Sequence, residues 1–137
     1  HAPHTANEKR QSYFKAPAGL PLVQHALLVL FDLAARGEIS HELIVDRACH
    51  APADLFGVKE RGYVREGWFA DLVIVDPDKP FRVDKTNLLC KCHWSPFEGH
   101  EFSSTIDTTL VNGEVVYRDG ELTKNIAGQR LEFGRAR

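Results

Sequence analysis

The chain has 137 residues, 43% hydrophobic and 26% charged, with a formal net charge of −2 from 17 basic and 19 acidic side chains. That balance is ordinary globular material for about one domain and excludes a disordered segment. No basic run is long enough for a nucleic-acid surface, and the longest apolar run, Ala26 to Phe31, falls far short of the roughly 20 residues that cross a bilayer, so neither partner is expected.

In chain order, residues 6–19 carry Asn7, Glu8, Lys9, Arg10 and Gln11 and end in Pro17 and Gly19, which predicts a long surface loop. A helix is expected from Leu20, with Pro21 in its first turn, through Ala35, closed by Gly37. Its polar positions, His25, Asp32 and Arg36, form only a narrow stripe, so it needs cover over most of its circumference. Ser40 is a good N-cap for a second helix reaching about His50. Pro52 then opens a further short turn, Ala53 to Phe56, which Gly57 ends.

Beyond Gly57 the hydrophobic period changes. Leu72 to Val75 is a continuous apolar run between Asp71 and Asp76-Pro77, the pattern of a buried strand. Thr105 to Val111 and Glu114 to Tyr117 flank Asn112-Gly113, whose residues tolerate the two positive φ values of a tight hairpin, and Asp119-Gly120 repeats that chemistry. His25, His41 and His100 read as surface residues, and Trp68, Phe69, Trp94, Phe97 and Phe102 as packing residues.

Three cysteines, Cys49, Cys90 and Cys92, argue for reduced thiols and a cytoplasmic setting rather than a disulfide framework. Cys90-Lys91-Cys92-His93 invites a zinc reading, but a structural zinc site draws on two spaced ligand pairs, and the only other candidates are Cys49 and His50. Its role stays open. No methionine occurs and no signal-peptide pattern opens the chain, so it reads as a piece of a longer protein.

The chain begins His1-Ala2-Pro3-His4-Thr5, two imidazoles flanking a stiffening proline, a suitable contact for an anion. This pentad resembles the loop after the last barrel strand of dihydroorotases in the amidohydrolase superfamily, where a metal-ligand aspartate comes directly before it. Phe56-Gly57-Val58-Lys59, Gly62-Tyr63-Val64, Gly67 and Ala70 to Asp76 resemble the superfamily's entry into its C-terminal sandwich. Lys85-Thr86-Asn87, Ser95 to Gly99 and Val111 to Tyr117 resemble its closing strands, so the likeness covers nearly the whole chain. Only the opening pentad separates dihydroorotases from allantoinases and dihydropyrimidinases.

The resemblance implies an α/β fold: residues 1–57 as the last loop and helices of a metal-dependent β/α barrel, and 58–137 as antiparallel strands of a small composite β-sandwich. It implies zinc-dependent, reversible hydrolysis of the cyclic amide of dihydroorotate to carbamoyl aspartate in pyrimidine biosynthesis, performed by the intact protein and not by this chain alone. The catalytic aspartate would precede His1, so no catalytic residue and no metal ligand is expected here. Substrate binding falls to His4, holding a carboxylate, and to Ala18 and Gly19, offering main-chain hydrogen bonds; Gly19 would also let the ligand approach closely. A ligand-free loop histidine and a plain turn are the competing readings of His4 and Gly19. A His1–His4 metal pair is disfavoured, because Pro3 breaks the helical face it would need and the family takes its histidine ligands from earlier strands. The implied partners are the small-molecule substrate, the rest of the barrel and further copies in a homo-oligomer. An allantoinase or other cyclic amidase, and a non-catalytic dihydroorotase-like scaffold protein, remain open.

Overall fold

The structure, a computed structural model, describes residues 4–123 and 128–134. The expected order is observed, helices first and antiparallel strands after. The first element departs from expectation. Within the stretch read as plain loop, α1 (Ala6–Lys9) forms because the Thr5 hydroxyl accepts from the Glu8 amide at 3.3 Å while the Glu8 carboxylate accepts from the Thr5 amide at 2.6 Å. This reciprocal capping box was visible as Thr5-x-x-Glu8, but polar composition hid it.

The second helix starts later than Pro21 predicts. The Leu22 amide bonds back to the Leu20 carbonyl at 3.0 Å, a γ-type turn that cannot continue as helix, so a 3₁₀ turn (Val23–His25) precedes α2 (Ala26–Ala35). Its C-terminus ends as predicted. Gly37 takes φ 74°, its amide reaches the Ala34 carbonyl at 2.9 Å and the Glu38 amide reaches Leu33 at 3.0 Å. The Ser40 hydroxyl accepts from the Leu43 amide at 3.2 Å and caps α3 (His41–Val45). The helix does not break at Pro52. It widens into a π turn over Asp46–His50 and continues as α4 (Ala51–Phe56), the wider turn leaving room for the Pro52 ring, until Gly57 at φ 62°.

Among the described residues six strands follow: β1 (Leu72–Asp76), β2 (Phe81–Arg82), β3 (Glu101–Phe102), β4 (Thr105–Val111), β5 (Glu114–Arg118) and β6 (Glu121–Leu122). Antiparallel β1, β4, β5 and β6 make one sheet in that order, and β2 pairs with β3. The β4–β5 hairpin turns at Asn112 and Gly113, with φ 53° and 84°. The buried-strand reading of Leu72 to Val75 needs correction: β1 lies at the sheet edge with Val73 and Ile74 about half exposed. A strand that apolar on both faces suits a position covered on both sides.

The core joins the two halves of the sequence. Leu28 of α2 meets Val83, Leu88 and Phe102, and Val29, Phe81, Phe97 and Ile106 pack around them. Burying a side chain such as Phe102 contributes about 1.5–3 kcal/mol. His25 belongs to this core and is not a surface residue; it is 1% exposed, its ring stacked on Phe102 with centroids 5.8 Å apart and its Nδ1 3.4 Å from Ser95 Oγ. Seven residues on, Asp32 accepts from the Ser103 amide and hydroxyl at 2.8 Å each and lies 3.2 Å from His100 Nε2. Two of the three polar positions thus face the strand half of the chain, His25 toward Ser95 and Asp32 toward the β3–β4 connection, while Arg36 is exposed and pairs with Glu38 at 2.6 Å. His41 and His100 are exposed, as expected.

Burial disfavours the imidazolium and pulls the His25 pKa below its ordinary 6.5. The unfolded chain then binds more protons between that value and the lower folded one. Stability is fully present above about pH 6.5 and is lost as pH falls toward the folded pKa. For Asp32, burial opposes ionisation, but the hydrogen bonds from Ser103 and His100 outweigh it and hold the carboxyl below 3.8. Its contribution is present above that value and lost only in stronger acid, so the two windows are separate. Denaturant unfolding between about pH 8 and about pH 5.5 is expected to lose up to about 1.4 kcal/mol per pH unit below pH ~6.5, and His25→Phe to flatten that slope. An unchanged slope in the variant would assign the proton uptake to another group.

Candidate substrate-binding site

Both arms of the predicted site belong to one hydrogen-bonded excursion of the chain. At its start the His4 carbonyl accepts from Trp94 Nε1 at 2.6 Å, and the Thr5–Glu8 box fixes the next turn. At its end Lys9 Nζ donates to the Pro17 carbonyl, clamping the neck just before Ala18 and Gly19. Between them, the Ser12 carbonyl accepts from the Lys15 and Ala16 amides at 2.8 and 2.9 Å. This turn presents Tyr13 and Phe14, 90% and 95% exposed, as an edge-to-face pair.

His4 is half-buried, while Ala18 and Gly19 are exposed. Gly19 has φ 94°, and a Cβ there would meet nothing within 4 Å among the described residues, so it is the backbone conformation that calls for glycine. His1, and the Ala2-Pro3 that joins it to His4, lie outside the described residues.

The segment beneath His4 is the turn that the sequence left without a role. Cys90 Sγ lies 3.4 Å from the Trp94 carbonyl and Cys92 Sγ 3.5 Å from Cys90 Sγ, and His93 takes φ 50°. Burial, then the hydrogen bond to Cys90, pushes the Cys92 thiol up, which keeps it protonated near neutral pH. Among the described residues no group of three or more His, Cys, Asp or Glu could hold a metal ion, so these residues do not fit a zinc centre.

A second polar node joins the segment after α4 to the hairpin. Arg61, with a side chain only 8% exposed, pairs with Asp71 Oδ2 and donates to Asn112 Oδ1 at 2.6 Å, with its guanidinium 4.1 Å from the Phe69 ring centroid. Asp71 Oδ1 also accepts from the Asn112 amide at 2.8 Å. Phe69 and Trp68, read as packing residues, thus carry cations: Arg65 lies 4.8 Å over Trp68. From the sequence, Trp94 has only a packing role and Lys9 only a place in a polar loop, and Arg61 is not singled out. Trp94 lies 90 positions from its partner, and no local pattern links them.

The amidohydrolase family model matches residues 19–116. The chain belongs to the amidohydrolase family. Among its relatives, a protein named dihydroorotase from Halobacterium salinarum is 40% identical over 131 residues, 96% of this chain and 31% of the relative. Another of that name, from Methanothermobacter thermautotrophicus, is 34% identical over 122 residues, 89% of this chain and 28% of the relative. This amidohydrolase chain therefore spans less than a third of the length of these curated relatives. Among solved structures, the D-hydantoinase (dihydropyrimidinase) from Thermus sp. superposes with a TM-score of 0.79 at 26% identity, over 88% of this chain and 27% of that one. The L-hydantoinase (dihydropyrimidinase) from Arthrobacter aurescens does so with a TM-score of 0.75 at 31% identity, over 80% and 25%.

Proposed function

We propose that these residues are the C-terminal part of a dihydroorotase, with 1–57 closing the β/α barrel and 58–137 contributing strands to the composite sandwich. The reading is carried by likeness to proteins named dihydroorotase over 96% and 89% of the chain. The opening His1-Ala2-Pro3-His4 supports it. In this reading His4 orients the carboxylate of dihydroorotate or carbamoyl aspartate, and Ala18 and Gly19 offer main-chain groups from the other side.

His4 binds and does not attack: a fixed imidazole donates a charge-assisted hydrogen bond to an anion without taking part in amide cleavage. Zinc, which supplies the activated water in this chemistry, is assigned to ligands outside this chain. The exposed Tyr13, Phe14, Leu55, Phe56 and Val64 are assigned to contacts with the rest of the barrel or with further copies in a homo-oligomer. Free Cys49, Cys90 and Cys92 support a cytoplasmic setting, and among the described residues no helix is long and apolar enough to cross a membrane.

His4→Ala in the full-length protein removes one charge-assisted hydrogen bond, about 1.5–3 kcal/mol, so kcat/KM for dihydroorotate is expected to fall roughly 10- to 150-fold with metal content unchanged. Most of that loss should vanish on a dihydrouracil-like ring without the carboxylate. Equal losses on both rings would make His4 a support of the loop, and loss of zinc would make it a metal-site residue. The likeness to hydantoinases favours a second reading, a cyclic amidase for a ring without the carboxylate. The same pair of substrates separates the two, since that enzyme would prefer the unsubstituted ring.

A further inference from the structure

We propose that Trp94 is a positioning residue for the substrate loop: its indole N–H holds the main chain of His4 so that the imidazole is presented to the substrate carboxylate. The inference rests on the assignment of His4 above. The contact is a 2.6 Å hydrogen bond from Nε1 to the His4 carbonyl, across 90 residues of sequence. An indole nitrogen can only donate, so its partner must be an acceptor, and here it takes the backbone. The His4 ring is left out of that contact and stays available to a ligand.

The platform behind the indole is firm. The His93 amide bonds the Cys90 carbonyl at 3.1 Å, and the Cys90 thiol reaches the Trp94 carbonyl. On the other side, buried Ser95 accepts from the Phe97 amide at 3.1 Å and touches His25 in the core. The turn is thus tied to the 3₁₀ turn before α2 and to the aromatic core, and Trp94 transmits that rigidity to the start of the loop. Downstream, the Thr5–Glu8 box holds the next residue. His4 is therefore fixed on the C-terminal side of its own Cα by two independent contacts. Holding a binding group in place before the ligand arrives lowers the ordering cost of binding, so the contact acts on affinity more than on turnover.

Trp94→Phe in the full-length protein keeps the packing ring and deletes the donor. KM for dihydroorotate is expected to rise roughly 2- to 10-fold, with kcat within about twofold and metal content unchanged. A dihydrouracil-like ring should change by less than about twofold. In a His4→Ala background, Trp94→Phe should add nothing, because the side chain it positions is gone. Additive losses, no effect of Trp94→Phe beside a selective His4→Ala, or equal losses on both rings with a lowered melting temperature would each overturn the inference while leaving His4 as the carboxylate anchor. An unselective His4→Ala would instead overturn the assignment on which it stands, and the inference with it.

Discussion

Alanine at Gly62 is expected to destabilise the chain by about 2–5 kcal/mol, a sum of two effects. Gly62 has φ 82°, where an L side chain costs roughly 1–2 kcal/mol. A Cβ there would also lie 2.4 Å from the Ala53 Cβ and 2.9 Å from the Cys49 carbonyl oxygen, so the loop could not rest on the π turn and α4 without moving. Overpacking of that kind costs about 1–3 kcal/mol more. Gly67→Ala separates the terms, because Gly67 has φ 77° but an added Cβ would meet nothing within 4 Å among the described residues, and should cost only the first. Denaturant unfolding of both variants measures the difference. Equal losses would mean that the helix yields to the added methyl group and that close packing does not select glycine at position 62.

Arg61→Met should cost about 2–3 kcal/mol. Removing one member of a buried ion pair costs about 3–5 kcal/mol where the other is left dry. Asp71 is 33% exposed and keeps the Asn112 amide, so water recovers part of that loss. The damage should concentrate at the hairpin, since Asn112 loses its side-chain partner while the Gly113 amide still reaches the Ala70 carbonyl at 3.0 Å. Faster hydrogen exchange at the Asn112 amide than in the wild type would report this. Arg61→Lys should not rescue it, because an ammonium cannot reach Asp71 and Asn112 with one planar fork while lying on Phe69. Unchanged stability in Arg61→Met would reduce the node to a surface contact.

Much of the local structure was legible because it is set within four or five residues. Ser40, Gly37 and Gly57 mark helix ends, and Asn112-Gly113 and Asp119-Gly120 mark turns, through backbone preferences that operate wherever the chain goes. The misses share another cause. The first turn of α2 was placed too early because a bond between Leu20 and Leu22 overrides the preference of Pro21, and α1 was hidden because polar residues suit caps and loops alike. His4, Ala18 and Gly19 are proposed as substrate-binding residues by likeness to a family motif, whereas Trp94 and Lys9, which brace the same loop, carry no such motif.

The sequence by itself determined where the elements turn, the helix-then-strand order and the likeness to amidohydrolases, because each resides in short patterns of residue type. Only the tertiary structure decided where His25 and Asp32 of the polar stripe point, that β1 lies at a half-exposed sheet edge, and which distant groups meet. His25 read as a surface residue, because a histidine on a helix suits water as readily as a polar partner; its contact with Ser95, and that of Asp32 with Ser103, overturn the wet-face reading from about 70 positions away. The pairs Trp94–His4 and Arg61–Asn112, and the approach of Gly62 to Ala53, are of the same kind. Each depends on burial and on hydrogen bonds that form only once the core has brought the segments together, and periodicity along one segment carries no record of its neighbours.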